Sequence, residues 1–109
     1  MEEGPNSSDR VLAAARAAHE AVRAYCYALG DTRHIPHWED LALEHRIAVL
    51  RETERILRYE KYRPREQHET WRAAQLRAGV TPAQDRRLVS YDELPPEERA
   101  KYTIATTVV

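Results

Sequence analysis

The sequence predicts a mainly α-helical, single compact domain of about four helices with irregular connecting loops. Apolar residues return every three or four positions along most of the 109 residues, and glycines close two of these stripes. No Asn-Gly or Asp-Gly pair of the kind that turns a β-hairpin occurs, and no segment repeats at a fixed period. At 12.7 kDa the chain would expose about 6,200 Å² folded against about 18,000 Å² unfolded. One core is therefore feasible, while two domains would each fall near the size that needs metals or disulfides to fold.

Residues 1 to 8 read as a flexible polar tail and residues 9 to 109 as the domain. Ser7 or Ser8 can cap a first helix, and Asp9 suits its positive end. Val11, Leu12, Ala15, Ala18, Val22, Tyr25, Cys26 and Leu29 then form one stripe, and Gly30 supplies a left-handed stop. Residues 31 to 37 form a connector, in which Pro36 holds Ile35 out of helical geometry. A second helix restarts near Trp38 and runs to about Tyr59 on Leu43, Ile47, Leu50, Ile56 and Leu57. Its outer face is charged, with Glu54 four residues ahead of Arg58. Pro64 sits in the first turn of a third helix that ends at Gly79. Residues 81 to 90 lack periodicity and read as a surface loop, with Leu88 and Val89 tucked beneath it. Pro95, Pro96, Glu97 and Glu98 start a short fourth helix through Tyr102. Residues 103 to 109 are rich in β-branched side chains and suit a last helical turn, a strand or a frayed end.

Composition narrows the function classes. Seventeen Lys and Arg nearly balance eighteen Asp and Glu, for a formal net charge of −1. No global field favours a nucleic acid polymer or an anionic membrane. There is no run of about 18 apolar residues to span a bilayer, and the start Met1-Glu2-Glu3-Gly4-Pro5 lacks the features of a signal peptide, so a cytoplasmic location is expected. All the basic residues but Lys61 and Lys101 are arginine, which suits either bidentate contacts to phosphate and carboxylate or high-GC codon usage. Cys26 is the single cysteine and reads as a small buried hydrophobe.

The catalytic motifs are missing. His34 and His37, with Glu39, Asp40 and His45 nearby, come closest to a metal cluster, but nothing spaces a third ligand; a metal-assisted hydrolase on His34, His37 and His45 is the weakest reading. Cys26 and His19 stand two helical turns apart, about 10 Å along the axis, too far to act as a nucleophile and base. There is no phosphate-binding Gly-rich loop and no nucleophile elbow. No enzyme, metal or cofactor is expected. What remains is a set of aromatics with polar neighbours: Trp38, Trp71, Tyr91, His19 and His68, with Arg23, Arg65, Arg72 and Arg77 able to hold phosphate. The competing reading is that both tryptophans supply core area in a chain without Phe.

His19-Glu20, Arg23, Leu29-Gly30-Asp31, Trp38-Glu39-Asp40-Leu41 and Arg46 occur in order. His68-Glu69-x-Trp71, Gly79 and Tyr91-Asp92-x-Leu94-Pro95-x-Glu97-x-Arg99-x-Lys101 follow. This series resembles the ryanodine-receptor repeat (RyR) domain and is similar to its small standalone bacterial and phage versions, over residues 15 to 109. The chain departs from the family pattern at Val22, where Asn is usual, at Val80, where Trp is usual, and in a shortened segment 80 to 90. The resemblance implies a helical module without catalytic machinery, associated with adenine-nucleotide binding. A phage-encoded member would sequester a nucleotide signal in the host cytoplasm.

On this basis the expected function is binding of a small nucleotide-type ligand by His19, Arg23, Trp38, His68, Trp71, Arg72 and Tyr91. Trp71 would stack, His68 would donate or accept a hydrogen bond, and Arg23 or Arg72 would pair with phosphate. The alternative is a protein–protein interaction module or a homodimer that uses an apolar helix face or the apolar tail from Thr103 to Val109.

Overall fold

A computed structural model describes residues 7–30 and 35–109. The apolar stripes become four helices: α1 (Ser7–Ala28), α2 (Leu43–Arg58), α3 (Pro64–Arg77) and α4 (Pro96–Val108). There is no strand among the described residues. A one-turn 3₁₀ helix at Trp38–Asp40 precedes α2, and another at Tyr91–Glu93 precedes α4. α1 packs most extensively on α4 and then on α2, and α3 packs on α4. The domain is thus two helix–turn–helix units, joined through α1 and α4.

The glycine stops form as expected. Gly30 has φ +75° and Gly79 φ +89°, values an L side chain adopts only with strain. At α3 the Gly79 N–H donates to Leu76 O at 3.1 Å and the Val80 N–H to Gln75 O at 3.0 Å, the paired bonds of a Schellman motif. Pro64 opens α3 and Pro96 opens α4, where a missing N–H costs nothing.

Several boundaries differ from the sequence reading. Residues 7 and 8 already belong to α1, so Ser8 lies inside the first turn instead of capping it; residues 1–6 of the expected tail lie outside the described residues, as do residues 31–34 of the connector. Trp38 does not begin α2, because a 3₁₀ turn and the extended residues Leu41 and Ala42 intervene. The fourth helix runs past Tyr102 to Val108, which resolves the β-branched end as helix: packing along α1 outweighs the weak local preference. Among the described residues the core is small. Ala15, Ala18, Cys26, Trp38, Leu88 and Leu94 are buried, whereas Leu12 and Leu29 of the predicted α1 stripe are exposed. Glu54 and Arg58 form no ion pair.

A Cβ at Gly79 would meet nothing within 4 Å, so the cost of Gly79→Ala is purely conformational. It should lower unfolding free energy by about 1–2 kcal/mol at unchanged m-value, measured by urea denaturation.

Candidate functional site

The two units are built on the same joint. In the first, His19 on α1 places Nε2 2.7 Å from Pro36 O, and Glu20 Oε2 accepts the Trp38 N–H at 2.8 Å. In the second, His68 on α3 places Nε2 2.7 Å from Val89 O, and Glu69 Oε2 accepts the Tyr91 N–H at 2.9 Å. A carbonyl accepts, so each ring donates from Nε2. The flanks repeat as well. Arg16 pairs with Glu39 as Arg65 pairs with Asp92, and Arg23 reaches Glu20 at 3.8 Å as Arg72 reaches Glu69 at 3.0 Å. Further on, Thr53 donates to Val49 O and Thr106 to Tyr102 O, both at 2.8 Å. The first unit thus recurs in the second, shifted by 49 positions on the leading helices and by 53 from the turn onward. Four extra residues between Gly79 and Tyr91 break the fixed period.

These joints absorb most of the residues expected to bind a ligand. His68 is fully buried. Its Nδ1 stands 2.8 Å from the Tyr102 hydroxyl, which donates to it, so both ring nitrogens are engaged within the protein and neither is free to hydrogen-bond a ligand. Trp38 is buried as well, its ring edge-on to His19 at 6.0 Å; of the two readings of the tryptophans, the core reading describes Trp38. The Arg23 Nε–H donates to Ile35 O at 3.0 Å and Arg72 is held by Glu69, so both cations are tied to the joints instead of standing ready for phosphate. Tyr91 lies under the Arg65 guanidinium at 5.2 Å and against His68 and Tyr102, each at 6.2 Å. His19 borders a central cavity of about 270 Å³ between the two units, away from Trp71. Among the described residues, His19 and Trp71 line different pockets.

Trp71 is the exception. Half-buried, it lines an open groove of about 480 Å³ between α2 and α3, with Tyr102 behind it and Arg51, Glu52 and Arg55 on the facing helix. The Arg87 guanidinium lies 4.8 Å from its ring centroid in a cation–π contact and is held there by Asp85. Glu52 accepts the Tyr62 hydroxyl at 2.8 Å and Arg55 at 3.3 Å. Burial, with Glu52 alongside, pushes the Tyr62 hydroxyl up to about 12, so it stays a donor. The groove's one acid is thereby satisfied. Arg51 makes no ion pair or hydrogen bond among the described residues, which leaves it able to meet an anion. Arg51 and Arg55 were not among the expected ligand residues; their signal was only their spacing of four on the charged side of α2.

His34 of the metal reading lies outside the described residues. Among the described residues no group of three or more His, Cys, Asp or Glu could hold a metal ion; His37 is drawn to Glu20 at 3.3 Å. No helix among the described residues is long and apolar enough to cross a membrane. No family model, curated protein or solved structure matches the chain.

The joints make stability depend on pH. The Trp38 N–H bond holds the Glu20 carboxyl below its usual 4.5, against the opposing effect of burial and with help from His37 and Arg23. Burial pushes Glu69 up, but the Tyr91 N–H and Arg72 outweigh it and its value also falls below 4.5. A depressed carboxyl pKa contributes stability that is full above the unfolded value and is lost as pH falls through the folded value. The urea midpoint should therefore drop between about pH 5 and pH 3. In the double variant Glu20→Gln, Glu69→Gln it should start lower and decline less over the same range.

Proposed function

We propose that this chain is a non-catalytic, RyR-like helical module that binds a small anionic ligand with a planar base, of the nucleotide type, in the groove between α2 and α3. The observation that carries the reading is Trp71: a half-buried indole on the wall of an open groove, facing Arg51 and Arg55 on α2. Aromatic faces take nucleobases by stacking, and guanidinium groups pair bidentately with phosphate. Arg51, which has no partner among the described residues, takes the phosphate role in this reading, with Arg55 beside it already paired to Glu52; Arg23 and Arg72 hold Glu20 and Glu69 within the joints. Arg87 on the indole is the side chain that an incoming base displaces or sandwiches. The RyR-like assignment draws support from which residues carry the resemblance: His19, Glu20, Arg23 and Trp38, with His68, Glu69 and Tyr91, are those that build the two joints. A cytoplasmic, nucleotide-sequestering role follows from that assignment.

Thermal unfolding against adenine nucleotides, ADP-ribose and cyclic di- and trinucleotides tests the reading. A ligand at about 100 times its Kd adds about 2.7 kcal/mol, which for a domain of this size raises Tm by about 10 °C or more. Trp71→Ala should abolish the shift. Because Trp71 also packs on His68 at 5.6 Å, the exposed pair Arg51→Ala, Arg55→Ala serves as a second variant and should weaken binding at least tenfold. No shift across the panel, or one untouched by either variant, contradicts the assignment.

A further inference from the structure

α2 has its main packing contact with α1, and a second apolar seam on it is largely exposed among the described residues, bordered at Leu50 and Glu54 by Ser8, Val11 and Leu12 of α1. Leu43, Ile47, Leu50, Glu54 and Leu57 follow one another by four and three residues, the spacing that keeps side chains on one line for a facing helix. Leu43 is 64%, Ile47 38% and Leu57 50% exposed. Two charged groups on or beside this seam lack partners. Glu54, the one acid within it, makes no ion pair or hydrogen bond among the described residues. Arg46, at its edge, has a buried Nε with no acceptor.

We infer that the seam is the interface for a second copy of this chain, with α2 packed antiparallel on its mate about Leu50. That register sets Leu43 against Leu57 of the second copy and brings Glu54 level with its Arg46, so the two unpartnered charges answer each other twice across one two-fold axis. A parallel pairing would instead set Glu54 beside Glu54, which like charge disfavours. The contact is isologous and closes as a dimer. None of the five seam residues lines the Trp71 groove, and Arg51 borders both surfaces.

Sedimentation equilibrium on the full chain from micromolar to millimolar concentration tests the inference, with circular dichroism confirming the fold of each variant. The expected result is a monomer–dimer equilibrium. Ile47→Glu should raise its dissociation constant at least tenfold, as should Glu54→Arg or Arg46→Glu alone, while the two charge reversals together restore association. Register is read separately in a Cys26→Ala background. Leu50→Cys should form an intermolecular disulfide on oxidation, and Leu43→Cys, about 21 Å along the axis from its own mate, should form one only when mixed with Leu57→Cys. A monomer at every concentration, a dimer indifferent to Ile47→Glu, or self-linking at position 43 and not at 50 would overturn the inference.

Discussion

The structure rests on a histidine and a glutamate, adjacent on one helix, that catch the backbone of the turn leading into the next. His19 donates to Pro36 O and Glu20 accepts from Trp38 N–H; His68 and Glu69 do the same for Val89 O and Tyr91 N–H. A turn that enters a 3₁₀ helix leaves N–H and C=O groups without intrahelical partners, and leaving such groups unmet under cover of protein costs about 1–3 kcal/mol each. The joint meets both at once and fixes the angle between the helices. Its weight is large because the apolar core is small: among the fully buried side chains the largest are His68 and Gln67, not hydrocarbons. Gln67 itself bridges Tyr62 O at 3.1 Å and Thr106 at 2.8 Å, which ties the second unit to its own exit helix.

Duplication of the joint explains the architecture, and the differences between its two copies explain where the groove opens. Trp71 of the second unit corresponds to Val22 of the first, and Tyr102 to Val49, at the two shifts of 49 and 53. At these two positions an aromatic on the second unit stands where the first has a valine; Trp71, Tyr102 and Val49 line the groove, and Val22 lines the central cavity. In the nucleotide reading, the scaffold of both units holds one aromatic wall against one row of arginines. The histidines and glutamates of the joints do not line the groove, and Tyr102, bonded to His68, does.

Much of this was legible in the residues. Four stripes, the left-handed glycines at 30 and 79, and the first-turn prolines at 64 and 96 carry local physics strong enough to place the four helices, although α2 begins at Leu43 and not near Trp38, and α4 runs to Val108 and not Tyr102. The 3₁₀ turns at Trp38 and Tyr91 were not legible, because their geometry comes from the carboxylates of Glu20 and Glu69, some 20 positions away. The candidate site was less legible than the fold for a related reason. A histidine followed by a glutamate has the composition of a binding site whether it serves a ligand or a backbone carbonyl, and only tertiary geometry tells them apart. The signal that could have separated them is the paired recurrence of Arg-x-x-His-Glu-x-x-Arg at residues 16–23 and 65–72, followed in each unit by an aromatic, two acids and a leucine. A motif present twice in one small domain is more economically scaffold than active site. Arg51 and Arg55 lie on a helix face rich in charge, and nothing in their local pattern sets them apart from a solvated surface.

Everything else depends on the two joints holding the backbone at Trp38 and Tyr91 as firmly as the helices they connect. Native-state hydrogen exchange of the Trp38 and Tyr91 backbone amides reads this directly, since both are bonded to carboxylates and neither belongs to an α-helical ladder. The account predicts that both amides exchange only through global unfolding, with protection equal to that of the amides at the centres of α1 and α4. Exchange of either amide at the rate of a solvent-exposed loop, while the helix centres stay protected, would contradict it.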